Sequence, residues 1–248
     1  MPRLCSALLV SAILSAGFAR SAQADDKDVK AILDKAIKAL GGEEKLKKAE
    51  AYTEKTKGTI NFGGNSNEFA SERTYQGLDR YHTEFGGDQF RGVVVLDGDK
   101  GWRRFGDNKT QMDAAAVANE KRSIYLSVVP TTIVPLKGNG FKVESVPEEI
   151  IADKPAAVVK VTGPDGKDFT LAFDKESGLP VRMIAKVMGF QGQEFTQETT
   201  FADYKDFGGI KRPTKSDLKR DGQTFLVSEL KDFKVLEKVD PKTFAEPE

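Results

Sequence analysis

The stretch that decides the fold is KDFTLAFDKESGLPVRMIAKV, residues 167–187. It reads as a strand, a turn at residues 175–178 and a second strand. Apolar side chains recur at every second position in both halves, which is the period of a β-strand with one buried face. The side chains that share the buried face are Phe169, Leu171, Phe173, Val181, Met183, Ala185 and Val187. The pattern predicts two antiparallel strands on one face of a core.

The same alternation continues in both directions along the chain. Further strand-like segments lie at residues 56–62, 67–76, 80–85, 90–96, 101–105, 141–146, 156–162, 194–204, 211–220 and 223–235. Asp-Gly pairs at residues 97–98, 165–166 and 221–222 are typical of hairpin turns. About ten strands in one twisted sheet tend to curl. The predicted fold is mainly β, in the α+β class: an incomplete antiparallel β-barrel of about ten strands.

Two segments have the period of a helix instead. Residues 26–48 carry one apolar stripe that Gly41 and Gly42 interrupt, with a further turn expected after them. Residues 113–129 are rich in alanine and are expected to end at Pro130, with residues 131–136 irregular. Such helices are stable when their apolar stripes are buried. We therefore expect them to cover the concave face of the sheet.

The amino terminus has the three parts of a secretory signal: Arg3, an apolar core at residues 8–18, and small residues ending at Ala24. The predicted organisation is a signal peptide at 1–24 and a single domain at 25–248. The single cysteine, Cys5, lies in the signal, so the remainder has no thiol for a disulfide or a metal. We expect a soluble protein in the periplasm, or otherwise secreted.

Catalytic and cofactor motifs are not found in the sequence. The chain has one histidine, His82, which is expected to be a solvent-facing strand residue. There is no Gly-x-Ser-x-Gly elbow and no phosphate-binding loop. The 38 basic and 38 acidic residues are interleaved, without the basic tract of a nucleic-acid-binding protein. We therefore expect no enzyme activity, no cofactor, no metal site and no nucleic-acid partner.

Three stretches resemble the LolA, LolB and RseB group of periplasmic lipoprotein carriers, which includes the outer-membrane lipoprotein-sorting proteins. They are residues 36–46, 173–180 and 201–213, the last of these supported by residues 239–244. The resemblance implies an incomplete β-barrel whose helices cover an apolar interior. In the carriers that interior holds acyl chains, while RseB-like members act as sensing or interaction modules. The family is not generally catalytic.

The aromatic side chains are the candidate ligand-binding residues, with an ordinary packed core as the alternative for any one of them. The predicted set is Phe62, Phe85, Phe90, Trp102, Phe169, Phe173, Met183, Phe190 and Phe195. The loop at residues 188–192 is the expected point of membrane or ligand contact. Arg91, Arg103 and Arg104 are candidates for a latch, with solvated strand charges as the alternative.

Two functions from different classes agree with these patterns. The first is an exported carrier or chaperone that holds lipid or an acylated protein in the half-barrel, with peripheral membrane contact and an envelope membrane protein as further partners. The second is an envelope interaction or sensing module with a closed core and no ligand. A hydrolase with an unfamiliar site is the third and least supported reading.

Overall fold

The computed structural model describes residues 26–248, apart from residues 63, 89, 190 and 191. The predicted signal peptide, residues 1–24, lies outside the described residues. The helices are α1 (Asp26–Leu40), α2 (Glu43–Lys48) and α3 (Ala114–Thr132), with 3-10 turns at Val134–Lys137 and Pro241–Phe244. The amino-terminal strands are β1 (Ala51–Phe62), β2 (Asn65–Gln76), β3 (Arg80–Gly86), β4 (Arg91–Asp97), β5 (Lys100–Phe105) and β6 (Asn108–Gln111). The carboxyl-terminal strands are β7 (Lys142–Ile151), β8 (Lys154–Thr162), β9 (Asp168–Asp174), β10 (Pro180–Met188), β11 (Glu194–Phe207), β12 (Ile210–Arg220) and β13 (Gln223–Val235).

Thirteen strands of the described chain form one antiparallel sheet, in the order β6-β5-β4-β3-β2-β1-β13-β12-β11-β10-β9-β8-β7. Two meanders, β1–β6 and β7–β13, are joined in sequence by α3. They meet at the centre of the sheet, where β1 pairs with β13 in a register that runs from Tyr52↔Val235 to Ile60↔Leu226. The edge strands β6 and β7 do not pair with each other in the described part of the chain, so the sheet is an incomplete barrel.

The predicted class and architecture are confirmed, but the strand count of about ten was too low. The short strand β6 is the clearest case. All four of its residues are polar and exposed. Its sequence therefore has no alternation of apolar and polar side chains that would predict a strand. Only its pairing with β5, from Trp102↔Gln111 to Phe105↔Asn108, makes it a strand.

The two helices α1 and α3 share one core with the inner face of the sheet. Side chains from β3 and β4 on one flank and from β8 and β9 on the other flank belong to the same buried cluster as the helices. Two helices reach both flanks of a thirteen-stranded sheet only because the sheet curls around them. The predicted placement of the helices is therefore confirmed.

The first helix ends where the sequence predicts. Its stripe of Leu33, Ala36, Ile37 and Leu40 is buried. Gly41 then has φ 134°, and a Cβ added there would lie 2.3 Å from the carbonyl oxygen of Gly209. Only glycine fits both the backbone angle and this close approach. The expected further turn is the separate helix α2.

The predicted end of the second helix was wrong. Pro130 lies inside α3, which continues to Thr132, and a 3-10 turn follows where irregular chain was expected. Proline removes one backbone donor, but near a carboxyl terminus few residues remain to be disturbed. The helix ends at Ile133, which has φ 61° and is fully buried. This backbone angle is unfavourable for a β-branched residue, so the burial of Ile133 offsets the strain.

His82 is less exposed than the sequence predicts. It lies on the outer face of β3, where the turn Pro241–Phe244 packs against β3 and β4, and its side chain is 23% exposed. Burial lowers the pKa of His82 below its ordinary value, and Glu84 and Glu72 act in the opposite direction.

The lowered pKa predicts a pH-dependent stability. A histidine that binds its proton less readily when folded contributes stability that is present above its unfolded pKa and is lost as the pH falls. We expect an NMR titration midpoint below 6.5 for the His82 ring. The free energy of unfolding should decrease between about pH 6.5 and pH 5, and less so in His82→Gln. A midpoint above 6.5 would contradict the assignment.

Candidate functional site

Helix α3 is capped at its start and attached to the sheet near its middle. At the start, the Asp113 side chain accepts a hydrogen bond from the Ala116 amide at 2.8 Å. Near the middle, the guanidinium of Arg122 is 4% exposed. It donates to Asp165 Oδ2 at 2.9 Å, to the carbonyl oxygens of Lys186 at 2.9 Å and Asp168 at 3.1 Å, and to the Tyr125 hydroxyl.

Three adjoining cavities lie along the length of α3. The N-terminal cavity, beneath residues 116–123, has a volume of about 430 Å³. The middle cavity, beneath residues 123–131, has about 290 Å³. The C-terminal cavity, beneath residues 128–135, has about 490 Å³. Neighbouring cavities share lining residues, Ser123 among them for the first pair and Thr131 for the second. The interior therefore contains a row of three adjoining spaces beside its packed core.

The side of α3 that faces these cavities is polar. Asn119, Ser123, Ser127 and Thr131 recur every four residues and line one or more of the cavities. Residues four apart lie on the same helix face. Ser123 and Ser127 are exposed, so the row of cavities opens to solvent alongside the helix.

A buried charge network lies in the wall of the middle cavity. Glu54 on β1 accepts a hydrogen bond from Arg73 on β2 at 3.2 Å and another from Arg212 on β12 at 2.9 Å. The Arg212 guanidinium also lies 4.9 Å from the ring centroid of Tyr52 and 4.7 Å from that of Phe233. One carboxylate is thus shared by two guanidinium groups, which leaves an excess positive charge inside the sheet.

A second ion pair joins α3 to the amino-terminal meander. Arg103 on β5 donates to Glu120 on α3 at 3.1 Å. Burial raises the pKa of Glu120 above its ordinary value, and the charge of Arg103 acts in the opposite direction. Of the three arginines considered as a latch, Arg103 is the one that contacts a helix. Arg91 is exposed, and Arg104 donates to the backbone of Glu248.

The predicted ligand-binding side chains are divided among several places. Phe85 lines the N-terminal cavity and contacts Phe90, with 6.4 Å between ring centroids. Met183 lines the middle cavity, and Phe195 lies 5.2 Å from the Arg220 guanidinium at its edge. Phe85 and Met183 therefore line the row of cavities, while Phe90 and Phe195 contact residues that line it.

The remaining predicted residues lie elsewhere. Phe169 and Phe173 are each 2% exposed in the packed core. Trp102 is on the outer face of the sheet, with Val95 and Phe244. Phe190 and the side chain of Phe62 lie outside the described part of the chain. For all nine predicted residues, a role in ligand binding stays a prediction.

Sequence reasoning missed the charged lining of the interior: Glu54, Arg73, Arg212 and Arg220. A signal for it was present, since Glu54 shares strand parity with Tyr52 and Arg73 with Tyr75. A charged side chain between inward-facing aromatic residues is a candidate interior charge. In the described residues no group of three or more potential metal ligands lies together.

The described helices are all too short or too polar to cross a membrane. The described chain forms an open, thirteen-stranded antiparallel sheet that curls around two helices, and solved LolA-like structures have the same fold. The resemblance seen in three stretches of the sequence is thus confirmed at the level of fold.

Solved structures show the same arrangement at low sequence identity. A LolA superfamily protein from Nitrosomonas europaea is 12% identical, with a TM-score of 0.58 over 87% of this chain and 96% of that chain. A DUF1329 family protein from Desulfovibrio piger is 13% identical, with a TM-score of 0.54 over 88% and 97%. A domain from Vibrio parahaemolyticus named as an outer membrane lipoprotein-sorting protein is 9% identical, with a TM-score of 0.51 over 86% and 97%. Neither a protein-family model nor a curated protein matches the sequence.

Proposed function

We propose that this protein is an exported binding protein that holds the acyl chain of a lipid or of an acylated protein beneath α3. The observation that carries the proposal is the row of three adjoining cavities between α3 and the sheet. An interaction module with a closed core would need no such space. The lipoprotein-sorting name of the Vibrio structure supports the same function.

The walls of the cavities suit an acyl chain as well as polar groups. The C-terminal cavity is lined by Leu46, Leu78, Val128, Val134 and Phe233, among others. Each methylene group removed from water contributes about 0.8 kcal/mol, so a chain of eight buried methylenes would contribute roughly 6 kcal/mol before the costs of binding. A carrier must also release its cargo, which requires a membrane or partner that offers a better site.

A movement of α3 relative to the sheet would widen the opening that already lies alongside the helix. The Arg103–Glu120 pair is the contact to be broken at the helix start, while the Arg122 contacts hold its middle. The predicted contact loop borders the same region, since Met188, Gly189 and Gly192 line the N-terminal cavity. We therefore place the path of the acyl chain between this loop and the start of α3.

Native mass spectrometry of the protein, purified from the cell envelope without detergent, tests the function. We expect an acyl species to co-purify at near-unit occupancy. Ser123→Trp, which places an indole between the N-terminal and middle cavities, should reduce the occupancy at least severalfold. The matched control is Ala118→Trp, at an exposed position of α3 that lines none of the three cavities.

Two results would oppose the proposal. The first is a protein that carries no acyl species and stays free of ligand after incubation with lipids and lipopeptides. The second is equal occupancy in Ser123→Trp and Ala118→Trp, which would move the ligand away from α3. The first result would make the interaction module the leading interpretation, and the second would keep a ligand but exclude the site beneath α3.

A further inference from the structure

The middle cavity has more positive than negative charge in its lining. Arg73, Arg212 and Arg220 face it, and Glu54 is its one lining carboxylate among the described residues. Buried charges are costly unless they are paired. The two oxygens of Glu54 are already used by Arg73 and Arg212, so a second anion would be needed to balance the lining.

Of the three arginines that line the middle cavity, Arg220 is the one without a carboxylate partner among the described residues. Its Nε donates only to the neutral amide oxygen of Gln197, at 3.4 Å. Its guanidinium lies 3.6 Å from the ring centroid of Phe225 and 5.2 Å from that of Phe195. Burial lowers the pKa of Arg220 below its ordinary value, which is the direction expected of a partly desolvated cation without a counter-charge.

The unsatisfied polar atoms of the described interior belong to residues that line the middle cavity and the adjoining N-terminal cavity. Four buried side-chain atoms lack a hydrogen-bond partner: Thr83 Oγ1, Arg103 Nε, Thr199 Oγ1 and Arg212 Nε. Every one of these residues lines the N-terminal or the middle cavity. The two threonine hydroxyls can donate or accept a hydrogen bond, and the two arginine Nε atoms can only donate. Two of them, on Thr199 and Arg212, belong to the middle cavity, and unpartnered donors beside a cavity point to an acceptor that fits it.

The excess positive charge and the unpartnered donors of the lining indicate that the ligand has an anionic end that accepts hydrogen bonds. We infer that the ligand is an amphiphile with an acidic headgroup, a carboxylate or a phosphate, held in the middle cavity by Arg212 and Arg220 while its acyl chain extends into a neighbouring cavity. Guanidinium groups suit both oxyanions because they donate in a planar fork. The inference rests on the acyl-binding function proposed above and specifies the headgroup.

Equilibrium binding of matched probes tests the inference. The probes are palmitate, palmitoyl lysophosphatidylglycerol and the neutral monopalmitoylglycerol, which all carry one palmitoyl chain, together with inorganic phosphate, which carries none. We expect at least one acidic amphiphile to bind about tenfold or more tightly than the neutral one. The tighter of the two acidic probes identifies carboxylate or phosphate as the preferred headgroup.

Variants then locate the headgroup. Arg220→Gln should remove about tenfold of the affinity for the acidic probe and leave that for monopalmitoylglycerol unchanged. The control Lys219→Gln removes one positive charge from the exposed, opposite face of the same strand and should change neither affinity. Ser127→Asp, at an exposed position on α3 that lines the middle cavity, should weaken acidic binding by repulsion relative to Ser127→Asn, without altering an arginine.

The outcomes separate this inference from the function on which it rests. If neutral and acidic amphiphiles bind equally and Arg220→Gln affects both alike, the headgroup inference is wrong and acyl binding stands. If inorganic phosphate binds as tightly as the acidic amphiphiles, the site is a simple oxyanion site and the inference is also overturned. If no amphiphile binds at all, the proposed function itself fails.

Discussion

Replacing Glu54 with glutamine is expected to lower the free energy of unfolding by about 3–5 kcal/mol, the range for removing one partner of a buried ion pair. Glutamine keeps the shape and loses the charge, so Arg73 and Arg212 would face each other without a counter-charge. Arg212 is the more affected, because its side chain is 7% exposed. Urea-induced unfolding followed by circular dichroism measures the loss.

The control for this variant is Glu72→Gln on the neighbouring strand. Glu72 pairs with Lys55, and the two side chains are 55% and 53% exposed. An exposed pair contributes about 0–1 kcal/mol, so the control should unfold almost as the parent does. Equal stabilities of the Glu54 and Glu72 variants would show that the network around Glu54 is solvated in the native protein.

Replacing Arg122 with methionine is the second change with a large expected effect, a loss of about 3 kcal/mol. The methionine fills much of the space but donates nothing to Asp165 or to the carbonyl oxygens of Lys186 and Asp168. The loss lies at the lower end of the usual range because the Asp165 side chain is 23% exposed and can regain water. Thermal and urea unfolding give the magnitude.

The loss of stability in Arg122→Met is also expected to be confined to one part of the molecule. Hydrogen exchange should accelerate in α3, in the turn between β8 and β9 and at the end of β10 more than in the central strands β1 and β13, because the Arg122 contacts join α3 to that turn and to β10. Lys121→Met is the matched control, since Lys121 pairs with Asp99, whose side chain is 95% exposed. Uniform acceleration across the whole sheet would contradict an anchoring role for Arg122.

The sequence predicted those features that depend on residues close to one another along the chain. Alternation at Phe169, Leu171 and Phe173 identified a strand and its buried face, and the stripe of α1 identified a helix and its contact surface. Tight turns then implied antiparallel neighbours. The pairing of β1 with β13 was beyond this reasoning, since no local pattern states which distant strands meet.

The candidate site was harder to predict for a related reason. Aromatic residues were chosen because an apolar ligand was expected, and two of them, Phe169 and Phe173, lie in the packed core. The arginines of the middle cavity were overlooked because a charged strand residue usually faces water. Arg212 is buried because Glu54, 158 residues away in sequence, supplies its partner, and such a compensation becomes visible only in three dimensions.

Because the first strand pairs with the last, the cavity-lined interior can form only after the last strand has been made. A polypeptide emerges amino end first, and its early segments begin to fold before the rest is made. Here β1 must keep one edge unpaired until β13 has emerged, which makes the central contact of the sheet the one of highest contact order and a slow step of folding. A chain truncated before Gln223 would lose one wall of the middle cavity and leave β1 and β12 as open edges, the kind of surface that recruits other chains into aggregates.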